Sequence, residues 1–199
     1  MTPNHPPVVR QAAATTLPTK YGEFRLHVYV DPSGREHVAL TVGPVADGQP
    51  VPARIHSECL TGDVFGSQRC DCGQQLELTM ARLQAAGRGV LLYLRQEGRG
   101  IGLTDKIRAY ALQEAGLDTV DANRALGLPD DMRDYGVAAA MLLDLGVRAV
   151  ALITNNPLKI AGLEGHGVSV VERLSVHVAP NSYNEPYIAA KRERMGHLG

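Results

Sequence analysis

The pattern of apolar positions divides the chain into two regimes. In GEFRLHVYV, residues 22–30, Phe24, Leu26, Val28 and Val30 alternate on one face, the period of a half-buried strand. Asp31-Pro32-Ser33-Gly34 is a turn signal, and His37 to Val42 reads as the returning strand of a hairpin. A further strand is predicted over Val51 to Ser57, after the Gly48-Gln49-Pro50 break. Beyond Gly73 the spacing becomes helical. Leu76, Met80 and Leu83 share a face, and Gly87 is placed to stop the helix. GVLLYL, residues 89–94, then reads as a short buried strand. The next helix is predicted to be capped by Thr104, to carry Ile107, Ala111 and Leu112, and to end at Gly116. An apolar helix over 134–145, a strand from Ala149 to Ile153, a short helix opened by Asn156-Pro157 and a strand from Val168 to Val171 follow. A C-terminal helix over 184–195 takes Asn184 as its cap. The fold class expected is α+β (mixed α/β): an antiparallel β region followed by strand-helix repeats with some parallel pairing, in a single compact domain.

Residues 1–16, rich in Pro, Ala and Thr, read as a flexible leader, and 17–199 as one folded domain. The chain has 199 residues, with 20 basic against 21 acidic side chains. That balance gives no global attraction to nucleic acid or to an anionic membrane, so any phosphate chemistry has to come from local clusters. No apolar run approaches the ~20 residues needed to span a bilayer, and no secretory signal pattern opens the sequence. A cytoplasmic location is the expectation.

Three cysteines, Cys59, Cys70 and Cys72, are the whole complement, spaced C-x10-C-x-C. An odd, compact cluster argues against a disulfide framework and for thiolates on a metal. Zinc prefers a tetrahedron of such ligands. With three protein thiolates the fourth position is open to water, whose pKa zinc lowers to about 7. A structural site closed by His56, or buried thiols without metal, are the competing readings. His56 and Glu58 flank the first cysteine as candidate proton-shuttling groups.

Arg95-Gln-Glu-Gly-Arg-Gly-Ile-Gly102 follows a strand and precedes a helix. Its glycines let backbone N–H groups approach phosphate, and Arg95 and Arg99 add cationic forks. Glu97 inside it would repel phosphate, and suits either Mg²⁺ or the N–H donors of a bound base. Asp130-Asp131-Met132-Arg133-Asp134 reads either as an acidic helix start or as a general base, Asp131, beside a phosphate-directed Arg133. Thr154-Asn-Asn-Pro157 with Lys159 again sets a cation at a strand-to-helix turn, suited to phosphate or to simple capping. Tyr110 reads first as helix packing.

Taken in order, Arg54-Ile-His-Ser-Glu-Cys-Leu-Thr-Gly-Asp63, Ser67-Gln-Arg-Cys-Asp-Cys-Gly73, Arg95 to Leu103, Lys106-Ile-Arg-Ala-Tyr-Ala-Leu112, Thr154 to Pro157 and the tail Lys191 to Leu198 resemble the GTP cyclohydrolase II family over nearly the whole chain. The resemblance implies that Cys59, Cys70 and Cys72 hold one Zn²⁺ per chain. It implies that Arg54, Ile55, His56, Ser57, Glu58, Gln75, Glu97, Gly98, Arg99, Thr119, Thr154 and Lys159 bind GTP. Asp131 would be the proton acceptor, Arg133 the nucleophile, and Tyr110 would assist near the ring. It further implies a homodimer, Mg²⁺ with the substrate phosphates, and release of formate and pyrophosphate from GTP to leave 2,5-diamino-6-(ribosylamino)-4(3H)-pyrimidinone 5'-phosphate, the first step of riboflavin biosynthesis. An arginine is effectively always protonated, so a phosphate-clamping Arg133 stands beside the nucleophilic one. Thr104-Asp105 and Ala138 to Met141 depart from the family pattern. They open one alternative, a relative that retains the formyl group or releases only pyrophosphate; a zinc-stabilised GTP-binding module without turnover is a second, from another class.

Overall fold

The structure is a computed structural model that describes residues 6–129, 131–194 and 196–198, with the side chains of Thr119 and Pro186 outside that description. The chain forms two compact units from interleaved segments. The first comprises residues up to His56, Glu77–Arg95 and Asp134–Val176, and the second Ser57–Leu76, Gln96–Arg133 and His177 onward.

The first unit is built on a seven-stranded sheet in the order β1-β2-β3-β5-β4-β6-β7. Its strands are β1 (Arg10–Thr19), β2 (Gly22–Val30), β3 (Glu36–Val42), β4 (Val51–Ser57), β5 (Gly89–Leu94), β6 (Ala149–Ile153) and β7 (Ser169–Leu174). β1, β2, β3 and β5 pair antiparallel in succession, whereas β4, β6 and β7 run parallel. The antiparallel region and the strand-helix repeats expected from periodicity are therefore halves of one mixed sheet. The parallel strands are joined through α5 (Gly136–Asp144) and α6 (Pro157–Glu164). Every residue of α5 from Gly136 to Leu142 is buried. Its Val137, Ala138, Ala139, Met141 and Leu142 form one core with Ile55 of β4, Val90, Leu92 and Leu94 of β5, and Val150 and Leu152 of β6. The small residues at 138–140 are what this packing requires of a helix buried all round.

Two expectations are corrected here. The leader predicted over 1–16 becomes strand at Arg10, since β1 pairs with β2 from Arg10↔Val30 to Thr19↔Gly22. Its side chains are mostly exposed, so it is held through backbone hydrogen bonds and leaves no apolar alternation to read. Thr104 does not cap its helix: α3 (Leu103–Glu114) begins after Gly102, whose φ of 87° only glycine adopts readily.

The second unit carries α1 (Leu60–Asp63), the first turns of α2 (Cys72–Ala86), a 3-10 turn at Glu97–Gly100, α3, α4 (Thr119–Ala125) and α7 (Glu185–Glu193). α4 is absent from the sequence expectations. Asp118 caps it, accepting from Val120 N and Asp121 N at 2.7 and 2.8 Å. Arg194 ties α7 to this helix through Asp118 and Asp121. Asn184 stands at the N-cap of α7, but its Oδ1 accepts from Asn181 N at 2.8 Å rather than from the helix.

Candidate functional site

In the second unit, Cys59 stands at the N-cap of α1, Cys70 in the turn before α2, and Cys72 opens α2. The Sγ atoms of Cys59, Cys70 and Cys72 all lie within 4.8 Å of one another, and among the described residues they are the group able to hold a metal ion. Glycine clears the space beside them. A Cβ on Gly62 would sit 2.8 Å from Cys70 Sγ, closer than such atoms approach, and a tight 3.2 Å from Cys59 Sγ. Three soft thiols around such a cradle fit a thiophilic divalent ion. The thiols are unequal. That of Cys59 is held far below its ordinary value, because Cys70 and Cys72 donate to it and Lys106 stands beside it. Cys70 is pushed up to about 11 by the same contact seen from the donor's side.

The cluster is braced by the glycine-rich turn. Lys106 Nζ donates to Cys59 Sγ at 3.1 Å, Thr61 Oγ1 at 2.9 Å and Glu97 Oε1 at 2.8 Å. Burial pushes the Lys106 ammonium down, but its bond to Glu97 and the negative charge at Cys59 outweigh that, and it stays charged. Glu97 also accepts from Leu60 N at 2.7 Å through Oε2 and from its neighbour Gly98 N at 2.8 Å. A carboxylate that seemed out of place in a phosphate loop thus fastens that loop to the cysteine segment. Lys106, a residue type that a helix ordinarily leaves in solvent, is buried. Nothing in a helical lysine beside Asp105 and Arg108 announces this. Asp105 itself pairs with Arg108 at 2.8 Å, one turn along α3.

Gly98 and Arg99 both take left-handed backbone angles, φ 61° and 62°. For arginine this costs on the order of 1 kcal/mol and is tolerated only where the surroundings hold it. Here Arg99 O accepts from Met132 N at 3.0 Å. A Cβ on Gly100 would meet Met132 at 3.0 Å, so the turn packs closely on the segment carrying Asp131 and Arg133. Asp131 and Arg133 form a fork: Nε lies 2.9 Å from Oδ1 and Nη2 2.5 Å from Oδ2. Burial raises the Asp131 carboxyl, but Arg133 lies against it and Arg99 nearby, and the net direction is down. Arg99 Nη1 and Ser57 Oγ are buried without a hydrogen-bond partner among the described residues, as groups awaiting a ligand would be.

Tyr110 lies with Lys106 Nζ 5.8 Å and Arg69 Cζ 5.1 Å from its ring centroid, its phenol pushed up to about 12 by burial. Gln75 Nε2 donates to Asp71 Oδ2 at 2.5 Å. Thr119 opens α4, with its side chain outside the described residues, where Asp130 also lies. Glu58 is half-buried next to the first cysteine.

The first unit brings together another set. β4 and β6 are parallel neighbours, so Arg54 and Ile55 near the end of one strand face the turn after the other. Arg54 Nη1 donates to Ile153 O at 3.0 Å, and Lys159 Nζ donates to Ile55 O at 2.7 Å. Thr154 Oγ1 accepts from Asn156 N at 3.0 Å, and Asn156 Oδ1 caps α6 through Leu158 N at 2.9 Å. Arg54, Thr154 and Lys159 are all buried, which is unusual for two cations and points to a site rather than a surface. His56 stacks on Tyr93 with ring centroids 5.4 Å apart.

Comparison with known proteins agrees with this chemistry. The model of the family described as GTP cyclohydrolase II matches residues 10–175. The GTP cyclohydrolase-2 of Neisseria gonorrhoeae is 56% identical over 186 residues, covering 94% of each chain. That of Azotobacter vinelandii is 56% identical over 187 residues, 94% of this chain and 90% of its own. The riboflavin biosynthesis protein RibBA of Bacillus subtilis is 54% identical over 193 residues, 96% of this chain and 48% of its own. The chain therefore belongs to the GTP cyclohydrolase II family of enzymes.

Proposed function

We propose that the protein hydrolyses GTP to 2,5-diamino-6-(ribosylamino)-4(3H)-pyrimidinone 5'-phosphate, with release of formate and pyrophosphate, as the first step of riboflavin biosynthesis. Family membership supports the substrate, and the observation that carries the chemistry is the three-cysteine cradle braced by Lys106 and Glu97. Cys59, Cys70 and Cys72 would hold zinc, which when bound supplies a Lewis acid and a water of lowered pKa for opening the imidazole ring.

The chain's own groups divide the rest of the work. Arg99, with a buried unpartnered nitrogen, and the buried Lys159 and Arg54 offset phosphate charge, with Mg²⁺ accompanying the substrate. Ser57, Gln75 and the residues around Glu97 and Gly98 are the remaining contacts proposed for the nucleotide, with Ile55, His56, Glu58, Thr119 and Thr154. Tyr110, beside Lys106, would bear on the ring. Asp131 would accept a proton. A guanidinium is protonated and planar in any setting, and the fork fixes its orientation, which supports Arg133 as a clamp on the α-phosphate over Arg133 as its nucleophile. A homodimer in the cytoplasm remains part of the proposal.

Cys70→Ser tests the assignment. The variant should lose bound zinc and formate release together, while a zinc-free variant that still makes formate would remove the metal from the reaction.

A further inference from the structure

The helix α7, in the C-terminal tail, reaches the cysteine turn. Lys191 Nζ lies 2.6 Å from Asp71 Oδ1, and the two side chains are only 14% and 9% exposed. Asp71 is the single residue between Cys70 and Cys72. Its other carboxylate oxygen accepts from Gln75, and its backbone carbonyl accepts from Gln75 N at 3.0 Å at the start of α2. A change in the backbone angles of Asp71 therefore displaces Cys70 relative to Cys72. Tyr187, one turn earlier on α7, has Lys191 Nζ 4.3 Å from its ring centroid and Arg99 Cζ 5.9 Å from it. One ring thus lies against two cations, one tied to the cysteine turn and one on the glycine-rich loop.

The charge balance gives Lys191 a purpose. Three thiolates on a divalent ion leave a net negative charge, and the Asp71 carboxylate adds another beside two of them. Unopposed, that carboxylate would repel the ligand set it orients. Lys106 offers a positive charge on the Cys59 side, and Lys191 does so on the side of Cys70 and Cys72.

We propose that Lys191 is a positioning residue of the metal centre: it holds and neutralises Asp71 so that Cys70 and Cys72 are presented together, and the C-terminal helix is thereby part of the site. This rests on the zinc reading given above. The test compares wild type, Lys191→Met, Lys191→Arg, Asp71→Asn and the double variant Lys191→Met/Asp71→Asn. Zinc affinity is read by competition with a chromophoric chelator, the thiolate-to-metal band with Co²⁺, and folding by circular dichroism.

Lys191→Met should bind zinc about 10-fold or more weakly, with an altered cobalt band, and Lys191→Arg should recover part of the loss. The double variant should bind better than Lys191→Met, because the repelling carboxylate has gone. Lys191→Met that binds zinc like wild type, or a double variant weaker than Lys191→Met, overturns the proposal. If Lys191→Met does not fold, Asp71→Asn decides: weakened zinc supports it, and wild-type affinity overturns it. A wild-type protein that binds no zinc defeats the metal reading, and this proposal with it.

Discussion

Lys106 and Glu97 meet at 2.8 Å with side chains 10% and 11% exposed, and the same ammonium touches Cys59 Sγ. One ion pair therefore connects the metal-ligand segment to the glycine-rich turn. Lys106→Met leaves Glu97 buried without its charge partner, and breaking such a pair costs about 3–5 kcal/mol. The expected outcome is a lower midpoint in urea, about 10-fold weaker zinc binding, and turnover reduced at least as much. Unchanged zinc affinity would show that the lysine only packs.

Gly62 is small because the thiols need its space. Its added Cβ would lie 2.8 Å from Cys70 Sγ and 3.1 Å from Cys72 Cβ. Gly62→Ala should keep the circular dichroism of the wild type, since alanine suits a helical position, and lose most bound zinc. Full metal content in this variant would mean that the cysteines can spread without cost.

Arg133 and Asp131 act as a fork that lysine cannot reproduce. Arg133→Lys keeps the charge, yet pyrophosphate release should fall on the order of 100-fold. The sign for Asp131→Asn is the same, with the arginine left unanchored. If Arg133→Lys retains wild-type kcat, bidentate geometry has no part in the reaction.

Much of this was legible in the chain. The C-x10-C-x-C spacing, the glycine-rich turn and Thr154-to-Lys159 marked the residues that the fold clusters within each unit. The strand at 89–94 was set by an apolar run that the sheet buries. The strands at 22–30 and 51–57 form where expected, but in the first the buried residues are Phe24 and Tyr29 rather than the whole alternating set, and the second buries Arg54 and His56 as well. What escaped was long-range. Lys106 and Lys191 look like ordinary helical cations until α3 and α7 are seen to deliver them to Cys59 and Asp71. β1 escaped because an edge strand pairs through its backbone, and α4 because its short stretch carries too little apolar periodicity to stand out.

Away from the site, Asp31 anchors the β2–β3 hairpin. Its carboxylate accepts from Ser33 N and Oγ, Arg35 N and Nε, and lies 3.3 Å from His37 Nε2. Burial raises its pKa, but these partners outweigh burial and hold it far below the ordinary carboxylate range. A depressed carboxyl stabilises the fold fully above its unfolded value, about 3.9, and loses that contribution as pH falls through the folded value. Asp31→Asn should cost about 1–3 kcal/mol at neutral pH, and the gap to wild type should close below pH 4. A pH-independent gap in urea-melt midpoints would assign the effect to hydrogen bonding alone.

The proposed hydrolysis of GTP is measured by incubating the purified protein with GTP, Zn²⁺ and Mg²⁺ while following formate, pyrophosphate and product mass together. Equal amounts of formate and pyrophosphate are expected, with the mass of the deformylated diaminopyrimidine ribosyl phosphate. Pyrophosphate without formate, a product that keeps the formyl carbon, or zinc-loaded protein that binds GTP without turnover would contradict it.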